Sequence, residues 1–188
     1  MSEPALVYLH AMAGNNAWSN HRLLTACSKL SPEAFAARRT SFFPSIQATL
    51  NHILIVDWYY VDALEGGSLG AKAFESEIPC PNFADLNREQ RAVDHRLIAF
   101  CHKLDRKELA SPVKLIRPKG IQVERVDRLL LHLFEHQIHH RGQAHAMLAG
   151  THVKPPQLDE FFMTDEAPLR ATELRDLGLS EAAIWQGL

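Results

Sequence analysis

The most constraining feature of this 188-residue chain is one unbroken stretch, Val126 to Ala149, ended by Gly150. It contains no proline, Leu and Ala dominate it, and Glu124 and Asp127 fall where a helix dipole favours acids. The pattern predicts one long helix. It also carries five of the eleven histidines: His132, His136, His139, His140 and His145. At about 100° per residue, Arg128, Glu135, His139 and Gly142 form a polar arc. Val126, Leu130, Leu133, Ala144 and Leu148 form the opposed apolar arc, with His136 and His140 on its shoulder, pointing inward.

Histidines four apart on a helix have neighbouring side chains, so two imidazoles can share one metal ion. His132 and His136 have the same spacing, but His132 lies nearer the polar arc, which favours His136 and His140. A lone inward histidine is usually just a satisfied core residue; a chelate-spaced pair shifts the balance towards a metal.

The length fits one domain, or one domain with an appendage. A formal charge of −2 and the lack of a basic run argue against a nucleic-acid partner. No apolar run approaches a membrane span, and no leader pattern opens the chain. Three widely spaced cysteines, Cys27, Cys80 and Cys101, fit reduced thiols and a cytoplasmic location, with Cys27 and Cys101 in the core.

Four long helices are expected. The first runs from about Pro4 to Leu30 despite Gly14-Asn15-Asn16, and a short turn capped by Ser31 follows at Pro32 to Ala37. Arg38 to Phe43 reads as a loop. The second long helix, Pro44 to Glu65, stops at Gly66-Gly67 and is apolar nearly all round, which suits the middle of a bundle. It carries His52, a second source of an inward imidazole. After a connecting segment, Asn87 is expected to cap a third helix reaching about Leu109, and Ala110 to Gln122 reads as an irregular link because of Pro112 and Pro118. The His-rich helix is the fourth. The expected fold is therefore all-α, an antiparallel four-helix bundle over residues 1–154. A C-terminal extension over 155–188 should carry two short helices, the second capped by Ser180.

Several pieces resemble the DinB family, the DNA-damage-inducible metalloproteins unrelated to the translesion polymerase of the same name. They are Asn16-Ala17-Trp18-Ser19-Asn20, Leu50-Asn51-His52-Ile53-Leu54, the run from His132 to Gln143 with Arg141-Gly142-Gln143 after the paired histidines, and Pro156 to Phe162. One departure is Asn15, where an aromatic residue commonly precedes the asparagine. The resemblance implies a DinB-like four-helix bundle, usually a homodimer, whose histidine triad holds one divalent metal. Carried over by motif position, the ligands are His52, His136 and His140. Relatives of the fold include transferases and isomerases that use bacillithiol or mycothiol, and a sulfoxide synthase domain of ergothioneine synthesis.

Three neutral imidazoles suit zinc or nickel, with iron, manganese or copper as further fits, and leave at least one coordination position open. The expected activity is that of a metal-dependent enzyme acting on a small molecule, a thiol-dependent transferase ahead of a hydrolase, with a low-molecular-weight thiol as possible cofactor. The alternative is a non-catalytic metal-binding stress-response protein. No general base is evident: Asp57 and Asp62 lie off the face of His52, and either can instead balance Arg141, which falls on the apolar arc. Around the triad, Thr49, Ile55, Val56, Tyr59, Leu129, Leu133, Gln143 and Met147 are expected to wall a mainly apolar cavity. Tyr59 is a weak catalytic candidate through its hydroxyl. Gln137 and Arg141, polar groups on an apolar arc, must find internal partners or face another chain, a hint of a dimer.

Overall fold

A computed structural model describes residues 4–185. The chain is mostly helical: α1 (Pro4–Cys27), α2 (Pro32–Ala36), α3 (Ile46–Leu64), α4 (Phe83–Lys103), α5 (Val126–Ala149), α6 (Ala167–Asp176) and α7 (Glu181–Ile184). Between α4 and α5 lies a two-stranded antiparallel sheet, β1 (Pro112–Arg117) and β2 (Gly120–Arg125).

The helix ends follow local chemistry. Ser31, Ser45, Asn82 and Ser180 each accept a hydrogen bond from a backbone N–H of the next turn, opening α2, α3, α4 and α7. Two boundaries differ from expectation. Asn82, rather than Asn87, caps the third long helix, which ends at Lys103 because Leu104 turns extended with ψ 138°.

The link before α5 is a hairpin, not irregular chain, and Glu124 belongs to its second strand rather than to the helix. Pro112 faces Arg125 and Arg117 faces Gly120 in the register, so Pro112 sits at a strand end and Pro118 falls in the turn, where neither interrupts the ladder. Gly120 closes that turn at φ +129°, a conformation reserved for glycine. Val113 and Leu115 point into the core in the alternation of a half-buried strand.

The four long helices close into a ring in the order α1, α4, α3, α5. α3 is buried on nearly every side, with Ile46, Ile53, Leu54, Ile55, Val56, Tyr59 and Val61 all in the interior. A shell of α4, α5, β1 and α2 around it leaves only a few residues, Gln47, His52, Trp58, Asp62 and Ala63, partly exposed.

The C-terminal segment lies against α1. Phe161, Leu174, Leu177 and Ile184 form a second apolar cluster with Ala11 and Trp18. Glu173 ties it down, accepting from Trp18 Nε1 at 2.7 Å and pairing with Arg22 at 2.8 Å. Gly14 permits this close approach: a Cβ there would meet Ile184 Cγ1 at 3.2 Å and Phe161 Cζ at 3.6 Å. Gly14→Val should therefore lift the C-terminal helices while α1 stays helical. Limited proteolysis should cut after Pro156 faster than in the unsubstituted protein; an unchanged cleavage rate would show that Gly14 does not govern the docking.

Candidate metal centre

The candidate ligands come from two facing helices, α3 and α5. Ser45 starts α3 and so fixes the phase that brings His52 towards α5. Asn51 anchors the same turn by bonding both backbone groups of Cys80, at 2.8 and 3.1 Å. On α5, His136 and His140 lie one turn apart. The three imidazoles converge, with one ligand nitrogen from each within 4.8 Å of the others, so they are positioned to bind a metal ion. His52 Nε2 lies 3.1 Å from His136 Nε2, and the ring centroids of His136 and His140 are 4.4 Å apart. Two ring nitrogens at that distance and one nearby suit a tetrahedral ion with bonds of about 2.0–2.1 Å.

The electrostatics favour ligation. Burial first, then the neighbouring imidazoles, lower the pKa of His136 to about 3; burial and His140 lower that of His52 to about 4. His140 is lowered as well, chiefly by burial. The rings are therefore neutral at pH 7, the form that offers lone pairs. His140 is also oriented. Its Nδ1 donates to Gln143 Oε1 at 2.9 Å, and the Gln143 amide donates onward to His139 Nε2 at 3.0 Å. Placing the proton on Nδ1 leaves the His140 Nε2 lone pair for an ion. His136 Nδ1, by contrast, is buried without a partner. Gln143→Ala should lower metal affinity about 10- to 100-fold while leaving the fold intact; competition with a chelating dye measures it, and an unchanged affinity would make Gln143 a bystander.

The remaining histidines of α5 are outside the cluster, although the His139 ring packs 4.8 Å from that of His140. His132 is exposed, its ring 6.3 Å from that of His136; His139 is exposed; His145 donates through Nε2 to the Pro156 carbonyl at 2.9 Å.

The surroundings differ only in part from the walls read in the sequence: Gln143 meets His140, whereas Tyr59 and Thr49 turn their hydroxyls away. Phe43 lies over the triad, its ring centroid 4.3 Å from His52 and 5.5 Å from His140, and Phe42 reaches to 6.5 Å from His140. Both sit on a loop closed by Arg39 N bonding to Pro44 O at 2.8 Å. The only sequence signal was two adjacent aromatics just before a helix cap. Tyr59 points elsewhere: its hydroxyl donates to the Ile116 carbonyl at 3.3 Å, and its ring packs against Tyr60 and Phe74. Thr49 turns its hydroxyl back to the Ser45 carbonyl. Cys27 and Cys101 lie in the core, where burial pushes both thiols up to about 12, so neither is a nucleophile.

Behind the triad lies a buried polar network. Arg141 donates through Nη1 to the amide oxygens of Asn16 and Asn20, and both asparagines donate to Asp94. Gln90 bridges Asp94 and Asp57, and Gln137 donates to Asp57 and to the Ile53 carbonyl. Gln137 and Arg141 thus find internal partners, which removes the residue-level hint of a dimer. Asp57 belongs to the surroundings of Arg141; Asp62 instead caps the backbone N–H of Leu69 at 2.7 Å.

Burial raises both carboxyls of the network, Asp57 to about 8 and Asp94 to about 6. One guanidinium balances one carboxylate, so the pair retains a proton near neutrality. Asp57 binds that proton more tightly folded than unfolded, so the stabilisation is present at low pH and lost as pH rises through about 8. Asp57→Asn cannot titrate, so its stability relative to the parent should rise between pH 5 and pH 9 in urea melts. A constant difference across that range would contradict the assignment.

Known proteins place the chain. The Bacillus subtilis (strain 168) protein DinB is 25% identical over 139 residues, covering 71% of this chain and 80% of that protein. A family profile described as the DinB family matches residues 1–174, and the chain accordingly belongs to the DinB family.

Proposed function

We propose that this DinB-family chain is a metal-dependent enzyme whose ion is held by His52, His136 and His140. The observation that carries the proposal is the convergence of three neutral imidazoles, one of them oriented by Gln143, with no fourth protein ligand in the cluster among the described residues. A bound ion would supply Lewis acidity and an open coordination position. Zinc or nickel suits the donor set first, with iron or manganese as further fits. His52 and His136 provide Nε2 donors, while Gln143 keeps His140 in one tautomer. Phe43 packs on the His52 ring and covers part of it, which lowers the local polarity and strengthens charge interactions beside it. The substrate is a small molecule, and thiol transfer ranks ahead of hydrolysis because soft thiolates suit zinc and nickel. The four long helices are read as a DinB-like bundle, residues 155–188 as an extension packed on it, and the assembly as a cytoplasmic homodimer. Tyr59 is assigned to packing.

The Phe43 contact also favours the second reading, a closed, non-catalytic metal site. Reloading the protein with zinc or nickel and assaying thiol conjugation to 1-chloro-2,4-dinitrobenzene and hydrolysis of p-nitrophenyl acetate separates the two. An enzyme gives turnover that His52→Ala abolishes. A closed site gives full metal occupancy and rates equal to that variant, in the parent and in Phe43→Ala alike.

Among the described residues, no helix is long and apolar enough to cross a membrane.

A further inference from the structure

On another face of α5 from the triad, a cavity of about 440 Å³ opens between α1, α5 and the segment leading to the C-terminal helices. None of the three clustered histidines lines it. Its lining includes Arg141, which is only 4% exposed.

This guanidinium is unusual in its partners. Both of its hydrogen bonds leave from Nη1, and both go to amide oxygens, of Asn16 and Asn20. It makes no direct ion pair among the described residues, because the two asparagines stand between it and Asp94. Nε and Nη2 therefore keep unspent donors on a residue that lines the cavity. Asn15, another lining residue and 7% exposed, accepts from Ser19 through Oδ1 and has no partner for its amide nitrogen among the described residues. Both residues are largely buried, so their free donors open only towards the cavity, and a charged donor there gains most from an acceptor. An anionic oxygen group would satisfy them, and the planar guanidinium fork matches a carboxylate in particular. The rest of the lining is mixed: Phe161 is buried, and Ile138 and Phe162, 47% and 43% exposed, form an apolar rim. The polar groups are Ser19, His145, Gln157 and Asp159, with His145 committed to the Pro156 carbonyl and the Asp159 carboxylate already accepting from Gln157.

We infer that this cavity is a second small-molecule site, distinct from the histidine triad, that binds an organic carboxylate with its anionic end on Arg141 and Asn15 and its apolar body against Phe161 and Ile138. The donor set fixes the acid end, and a volume of about 440 Å³ accommodates a body of aromatic-ring size.

The test uses 3-phenylpropionate and its uncharged counterpart 3-phenylpropan-1-ol, titrated calorimetrically into the full-length protein. The acid should bind saturably and at least ten times more tightly than the alcohol. Arg141→Gln strands the buried carboxyls and can unfold the chain, so Gly142→Leu carries the test. Gly142 lines the cavity and nothing lies within 4 Å of a Cβ added there, so a leucine fits the helix and its side chain can fill the mouth. Binding should fall at least tenfold in that variant and persist in His52→Ala. Binding that follows His52→Ala and ignores Gly142→Leu would place the carboxylate on the metal and overturn the proposal. Equal affinities for acid and alcohol, no binding at millimolar ligand, or displacement by inorganic phosphate at the same concentration would overturn it too.

Discussion

Arg141→Leu is expected to destabilise the protein by about 3–5 kcal/mol, the usual cost of removing one partner from a buried charge network. Arg141 is 4% exposed, and its replacement leaves the amide oxygens of Asn16 and Asn20 without their donor. Those asparagines orient towards Asp94 through their other ends, so the loss propagates to a buried carboxylate that accepts from Asn16, Asn20 and Gln90. The network joins α1, α4 and α5, with Gln90 and Gln137 extending it to Asp57 on α3. Urea melts give the magnitude. Adding Asp94→Asn to Arg141→Leu should recover part of the loss, because the carboxylate no longer needs a cation. A single-variant loss below 1 kcal/mol, or no recovery in the pair, would show that Arg141 does not organise the interior.

The second large effect is on metal binding. His52→Ala, His136→Ala and His140→Ala should each weaken metal affinity by more than about 100-fold, since two imidazoles cannot hold a divalent ion as three do. His132→Ala and His139→Ala should change it far less, because both rings are exposed and outside the cluster. The pH dependence follows from the shifted rings. Protons compete only once they bind imidazole, and His52 and His136 do so near pH 4 and pH 3. Retention should therefore persist through pH 6 and fall towards pH 4, later than for an unperturbed histidine at about 6.5. Equilibrium dialysis across that range checks it; loss centred on pH 6.5 would mean that the rings are solvated.

Much of this was legible in the sequence because periodicity survives folding. The limits of α5, its exposed arc of Arg128, Glu135 and His139, and its buried arc of Leu130, Leu133 and Leu148 follow directly from a 3.6-residue repeat. The choice of His136 with His140 over His132 with His136 rested on the same angles and matches the cluster. The hairpin was missed because Pro112 and Pro118 looked like breaks; only the pairing register shows that one sits at a strand end and the other in the turn.

The site's cover was illegible for another reason. Phe42 and Phe43 belong to a loop whose path depends on the Arg39–Pro44 backbone bond, and nothing in their spacing points at His52. Tyr59 shows the converse. It shares helix α3 with His52, but seven residues on, its hydroxyl meets β1, the strand that sequence reasoning had not seen.

The most direct test of the central claim is X-ray absorption spectroscopy on protein purified without an affinity tag or added metal, after its metal content is measured. The account predicts about one divalent ion per chain with three imidazole nitrogens at about 2.0–2.1 Å if it is zinc, and loss of that signal in His136→Ala. A metal-free protein that takes up no zinc or nickel, or a bound ion whose imidazole shell survives in His136→Ala, would contradict it.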